Sequence, residues 1–178
     1  MTTDLTLCTE RLVLRRPAPR DKEAIIAFYM SERSQYAGGN VPRFMAWKNT
    51  ASIFGHWDLN GFGLWAVTRK DDDTIIGLVG PFYPDGWPET EIGWLILEGA
   101  EGQGFAQEAA VAALADARAR LGWTDIVSYI APNNARSIAL ADRLGAVLDP
   151  QAAVPFADKP TKVYRHLPED DGSVEAYA

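Results

Sequence analysis

Thr90 to Leu121 constrains this chain more than any other stretch, because an apolar strand pattern, a glycine turn and an alanine-rich helix follow one another without a break. Glu91, Ile92, Gly93, Trp94, Leu95 and Ile96 read as the interior of a strand, and Ala106 to Leu121 reads as a helix. Between them stands Glu101-Gly102-Gln103-Gly104-Phe105. Gly102 and Gly104 let the backbone turn tightly and put no Cβ in the way of a ligand, so several amide N–H groups can converge on one anion. The helix behind them adds its unpaired amides and the positive end of its dipole. The same glycines serve equally well as a plain strand-to-helix connection. Other phosphate motifs fit less well: nothing supplies the lysine of a Walker loop, and position 107 is Gln where a dinucleotide fingerprint needs glycine.

Composition limits the class. A chain of 178 residues, 47% hydrophobic and 23% charged, is long enough for one well-buried core, so a single domain over 1–178 is expected, with its core at about 9–167. A formal net charge of −7 argues against sequence-independent nucleic-acid binding, which needs a basic surface, and favours a cationic partner. The single cysteine, Cys8, cannot form an internal disulfide, and no cysteine and histidine cluster has zinc spacing. No metal is expected. The start lacks a signal-peptide pattern, and no apolar run approaches the roughly 20 residues that span a bilayer. A soluble, cytoplasmic protein with no membrane partner is the expectation.

Along the chain, Glu10 to Arg16 alternates and stops at Pro17, which predicts a strand with Leu12 and Leu14 inward. A helix follows from about Asp21 to Met30, with Ile25, Phe28 and Tyr29 on one face. Ser31 to Met45 carries Gly38-Gly39-Asn40 and Pro42 and is a long loop, with a second helix over Ala46 to Leu59. Leu64 to Arg69, Thr74 to Phe82 and Thr90 to Leu97 give three consecutive antiparallel strands. In the helix after the glycine turn, Ala109, Ala110, Ala112 and Ala113 permit close approach to a sheet. Val111, Leu114, Arg118 and Leu121 form its continuous stripe, and Gly122 caps its end. A strand over Asp125 to Ala131, a helix over Asn134 to Leu144 and a last strand around Lys162 to Leu167 complete the order. Pro168 to Ala178 reads as a frayed acidic tail.

A second cluster, Ala131-Pro-Asn-Asn134-Ala-Arg-Ser137, opens the later helix, which Asn133 or Asn134 can cap. Two consecutive strands that each feed a helix part to leave a crevice, and crevices at strand ends bind ligands.

Taken in order, Thr9-Glu10-Arg11-Leu12-Val13-Leu14-Arg15, Glu91-Ile92-Gly93-Trp94, Gly102 to Ala109, Asn134-Ala135-Arg136-Ser137 and Leu144-Gly145 resemble the GNAT acetyltransferases. The branch they look like is the RimJ/RimL type, the ribosomal-protein N-terminal acetyltransferases and their relatives. The resemblance runs from Thr9 to Ala146. It implies a mixed α/β fold whose central sheet splays between the fourth and fifth predicted strands to admit acetyl-CoA. It also implies that the backbone of Ile96 and Leu97 faces the pantetheine arm. The amides of Gly102, Gln103, Gly104, Phe105 and Ala106 would hold the pyrophosphate, and Asn134 would touch the cofactor from the other side. Glu101 stands where the family has Gln or Arg, and a carboxylate there is expected to face solvent, since it would repel phosphates.

In such a reaction the attacking amine must be neutral, the developing oxyanion needs a donor and the departing thiolate needs a proton. Glu91 is the base that the sequence offers, with Glu89 second and an ion pair or a solvent-facing strand position as the ordinary alternative. The tyrosine that many family members carry falls at Ala141, so the resemblance passes the acid role to Ser137, which could equally be a helix-start residue. Tyr36 and Trp87 are the acceptor-contact candidates, although aromatics there suit a core or a homodimer surface as well. His56 and His166 read as structural. The acceptor is a protein or peptide N-terminus or a small amine. A CoA-binding module without turnover is the alternative.

Overall fold

The computed structural model describes residues 5–168, so all of the expected acidic tail beyond Pro168 lies outside the described residues. Eight strands form one sheet in the order β1-β2-β3-β4-β5-β6-β8-β7. They are β1 (Thr6–Cys8), β2 (Leu12–Arg15), β3 (Trp65–Arg69), β4 (Asp72–Phe82), β5 (Thr90–Ile96), β6 (Ile126–Ile130), β7 (Val147–Leu148) and β8 (Lys162–His166). Every neighbouring pair is antiparallel except β5 with β6. That exception follows from the crossover through α3 (Phe105–Leu121), since a parallel neighbour needs a long connection.

The strand period of two sorts the side chains of β5. Ile92, Trp94 and Ile96 join Leu12, Leu14, Trp65 and Val79 under the alanines of α3. Leu95 and Leu97 lie on the other face, with Ile25, Ile26 and Phe28 of α1 (Lys22–Met30) and Ala46 and Ile53 of α2 (Arg43–Asn60). Trp94 also packs against Ile138, Ala141, Ile130 and Tyr164, which brings α4 (Ala135–Arg143) onto the face that α3 occupies.

The helix α3 departs from the predicted stripe. Val111 is 54% exposed, and the buried face is Ala109, Ala110, Ala113, Leu114 and Ala117. Four alanines, with no side chain beyond Cβ, let the helix lie close on the sheet, so the face with the least bulk is the one that packs. β1 and β7, of three and two residues, were not expected. Strands that short carry too little alternation to be read.

β5 and β6 pair only at Thr90 with Ile126 and Glu91 with Val127. One residue further, the Ile92 carbonyl accepts from the Ser128 hydroxyl at 2.6 Å. Beyond that point the strands part, and the gap opens toward the glycine turn and the start of α4.

Candidate active site

The glycine turn is held by its backbone geometry. Gly99, Gly102 and Gly104 have φ of 84°, 72° and 79°, in the left-handed region that other residues enter at a cost. A Cβ built on Gly102 meets nothing within 4 Å, so conformation and not crowding calls for glycine there. Gly104 is the N-cap of α3, and among the described residues no side chain caps that helix. Its first-turn amides therefore stay free for an anion. Glu108, an acid in that first turn, turns away: its carboxylate accepts from Thr9 Oγ1 at 2.5 Å, from the Arg11 amide at 2.8 Å and from Arg11 Nε at 2.7 Å. Arg11 also donates to the Gln103 carbonyl at 3.0 Å, so the Thr9–Arg11 segment clamps the turn from outside. The sequence offered no signal for this clamp beyond the motif itself.

Across the gap, Asn134 caps α4 by accepting from the Ser137 amide at 3.2 Å. The Ser137 hydroxyl accepts from Trp94 Nε1 at 3.1 Å, which leaves its own proton to donate.

On the opposite face of β5, Glu91 is buried at the last paired position. Its Oε2 accepts from Trp87 Nε1 at 2.8 Å. Burial pushes its carboxyl up to about 7, against the lowering pull of that indole and of the Tyr129 backbone. Trp87 is fixed by edge-on contacts with Phe82, Tyr129 and Phe156 at ring-centre distances of 5.5, 6.1 and 5.5 Å. The Tyr129 hydroxyl is buried and has no hydrogen-bond partner among the described residues. Burial, with Glu89 and Glu91 nearby, pushes it up to about 12 and keeps it protonated. Glu89, the second candidate base, is committed to a bidentate pair with Arg165 at 2.7 and 3.2 Å, which Asp149 shares.

The segment after α1 crosses the gap. Arg33, in the short helical turn Glu32–Ser34, donates to the Ile96 carbonyl at 3.3 Å and pairs with Glu101. Tyr36 makes a long 3.4 Å bond to the Asn133 carbonyl on the other lip. Glu101 does not face open solvent, contrary to the expectation: its side chain is 30% exposed and lies between Arg33 and Arg136, the latter at 3.3 Å. Two guanidiniums on one carboxylate outweigh its solvation. Of the two strand-end residues expected to line the gap, Leu97 spends its amide on the Ile76 carbonyl at 2.9 Å and its carbonyl on the Ala100 amide. The backbone of Ile96 is the one turned to the gap.

Both histidines hold structure. His56 joins the Phe62 carbonyl at 2.8 Å and the Tyr83 amide at 3.1 Å. His166 lies 2.9 Å from the Ser128 hydroxyl, and burial lowers it to about 4. Two surface concavities lie away from the gap, one of about 490 Å³ on the outer side of α3 by Thr9 and Arg11, the other by Trp123 and Pro168. Among the described residues no group of acids, cysteines and histidines could hold a metal ion. No helix there is long and apolar enough to cross a membrane.

Known proteins share this arrangement. The model of the acetyltransferase (GNAT) domain matches residues 11–147. An acetyltransferase from Agrobacterium tumefaciens is 36% identical, with a TM-score of 0.86 over 94% of this chain and 97% of its own. A GNAT-family acetyltransferase from Bacillus anthracis is 20% identical, with a TM-score of 0.70 over 90% of this chain and 96% of its own. RimL, a ribosomal alpha-N-protein acetyltransferase in complex with coenzyme A, is 16% identical, with a TM-score of 0.69 over 92% and 98%. The last two are likenesses of fold. With the family's sheet, its glycine turn and its splayed strands all in place, this chain belongs to the GNAT acetyltransferases, enzymes that take their acetyl group from acetyl-CoA.

Proposed function

We propose that this chain acetylates a primary amine by direct attack within a ternary complex, with Glu91 as the base and Ser137 as the proton donor to the leaving thiolate. The observation that carries the reading is the placement of these two residues. Glu91 and the Trp94 that holds Ser137 occupy opposite faces of β5 beside the place where β5 and β6 part. Groups so placed can act on the two ends of one reaction only through that gap.

Acetyl-CoA supplies the activated acyl thioester. The residues suit such a donor: free amides over Gly102 to Ala106 for phosphates, the turned-out backbone of Ile96 for an extended arm, and Asn134 at the start of α4. Glu91, near pH 7, is poised to take a proton from an ammonium or from a bridging water. Ser137 has a hydroxyl proton free to give. Tyr36 on the lip and Trp87 beside Glu91 would border the acceptor. One domain is proposed to contain the whole site.

For the acceptor, a protein or peptide N-terminus suits the net charge of −7, since basic partners such as ribosomal proteins complement it, and a small amine is the other class. Calorimetry with acetyl-CoA, followed by a thiol-release assay over peptide N-termini and small amines, tests the reading. Thiol release with one acceptor class is the expected outcome. Binding with no release across the panel would convert the chain into a CoA-binding module.

A further inference from the structure

Around the glycine turn the acids and bases are unevenly committed. Arg11 is satisfied by Glu108 and the Gln103 carbonyl. Glu98, on the turn after β5, is exposed. Glu101, immediately before Gly102, carries two guanidiniums on the same oxygen, Oε1: Arg33 from the segment after α1 and Arg136 from the first turn of α4. The three come from separate parts of the chain and meet at the mouth of the gap. Arg33 is incompletely satisfied, with its Nε buried and without a partner among the described residues. Its Nη2 makes only a 3.3 Å contact with the Ile96 carbonyl beyond the ion pair. Arg136 is 85% exposed in its side chain, and Glu101 is its one partner among the described residues.

A guanidinium is built for oxyanions with two or more acceptor oxygens, and one carboxylate shared between two of them leaves donors over. We propose that Arg33 and Arg136 are the side-chain ligands of the donor's diphosphate, and that Glu101 is an internal carboxylate that holds them until the diphosphate displaces it. This rests on the reading of the site as one for acetyl-CoA. Glu101 is then a competitor for its own site: it keeps the two arginines gathered at the gap and weakens donor binding by the negative charge it must withdraw.

The sign of one substitution separates this from a purely structural pin. Glu101→Gln keeps the shape and removes the charge. Its Kd for acetyl-CoA by calorimetry is expected to fall about threefold to tenfold, with a steeper loss of affinity on adding salt than in the wild type. Arg136→Ala, at an exposed side chain, is expected to weaken binding by about fivefold or more. S-acetylpantetheine, which has no phosphate, should bind the wild type and Glu101→Gln alike. Dephospho-CoA should keep the gain, because the diphosphate is intact; loss of the gain would overturn the diphosphate assignment in favour of the 3′-phosphate. Thermal melting of each variant guards against misfolding. Equal or weaker binding of acetyl-CoA by a folded Glu101→Gln would overturn the inference alone, while a wild-type chain that binds no acetyl-CoA would overturn the reading beneath it.

Discussion

The indole nitrogen of Trp87 donates to the Glu91 carboxylate at 2.8 Å across the turn that leads into β5. It opposes the burial that pushes Glu91 up to about 7, so, with Glu91 as the proposed base, the tryptophan helps to set the pH at which that carboxylate forms. Glu91→Gln is expected to lower kcat by about a hundredfold or more and to abolish the rise of kcat/KM with pH near 7. Trp87→Phe keeps the ring and removes the donor. It should move that rise to higher pH while restoring most of the rate above it. A pH–rate profile of the three proteins checks this, and a profile of unchanged midpoint in Trp87→Phe would remove the tryptophan from the chemistry.

Glu91 and His166 give stability opposite slopes with pH. The folded value of about 7 for Glu91 lies above its ordinary 4.5, so between these the folded chain keeps a proton that the unfolded chain has lost, and stability falls as pH rises. The folded value of about 4 for His166 lies below its ordinary 6.5, so over that window the unfolded chain gains a proton the folded one refuses, and stability rises with pH. The wild type should therefore be nearly flat across the shared range. In Glu91→Gln only the histidine slope remains, and its stability relative to the wild type should grow by roughly 3 kcal/mol between about pH 4.5 and 7. Urea midpoints across that range measure it; parallel curves for the two proteins would contradict it.

Much of this site could be read from residue order, and the unread parts share a physical cause. The strand, turn and helix around Gly102 and the helix start at Asn134 are local patterns, and local patterns persist in the fold. The resemblance likewise located Glu91 beside the parting strands. What stayed hidden depends on contacts between distant positions: the Arg11–Glu108 clamp, the Trp94–Ser137 bond and the pairing of Glu101 with Arg33 and Arg136. From its neighbours in sequence alone, Glu101 reads as solvent-facing, since Arg33 and Arg136 lie far along the chain. Ile96 and Leu97 read alike for a similar reason, because a strand pattern does not say which backbone groups face the neighbouring strand.

Ser137 is held from both ends, by its amide on Asn134 and by Trp94 on its hydroxyl. The indole hydrogen bond fixes the oxygen and leaves the proton pointing elsewhere. Ser137→Ala is expected to lower turnover on the order of a hundredfold with the Kd for acetyl-CoA nearly unchanged. Trp94→Phe, which frees the hydroxyl to rotate, should cost about fivefold, the worth of one ordinary hydrogen bond. Single-turnover kinetics beside calorimetry separate the two effects. An unaltered turnover number in Ser137→Ala would discard its role.

Gly102 and Gly104 share a left-handed backbone and differ in what surrounds them. At Gly102 a methyl group would enter open space, so Gly102→Ala carries only the backbone penalty of about 1 kcal/mol. For a chain of this length that is a fall in Tm of about 3 °C. At Gly104 the same methyl would stand 3.4 Å from the end of the half-exposed Arg11 side chain, an ordinary van der Waals contact. Gly104→Ala is therefore expected to lose about as much as Gly102→Ala, about 1 kcal/mol, from the backbone alone. Paired melting curves on the two variants test this. A clearly larger loss at Gly104 would mean that Arg11, tied to Glu108 and the Gln103 carbonyl, braces the turn.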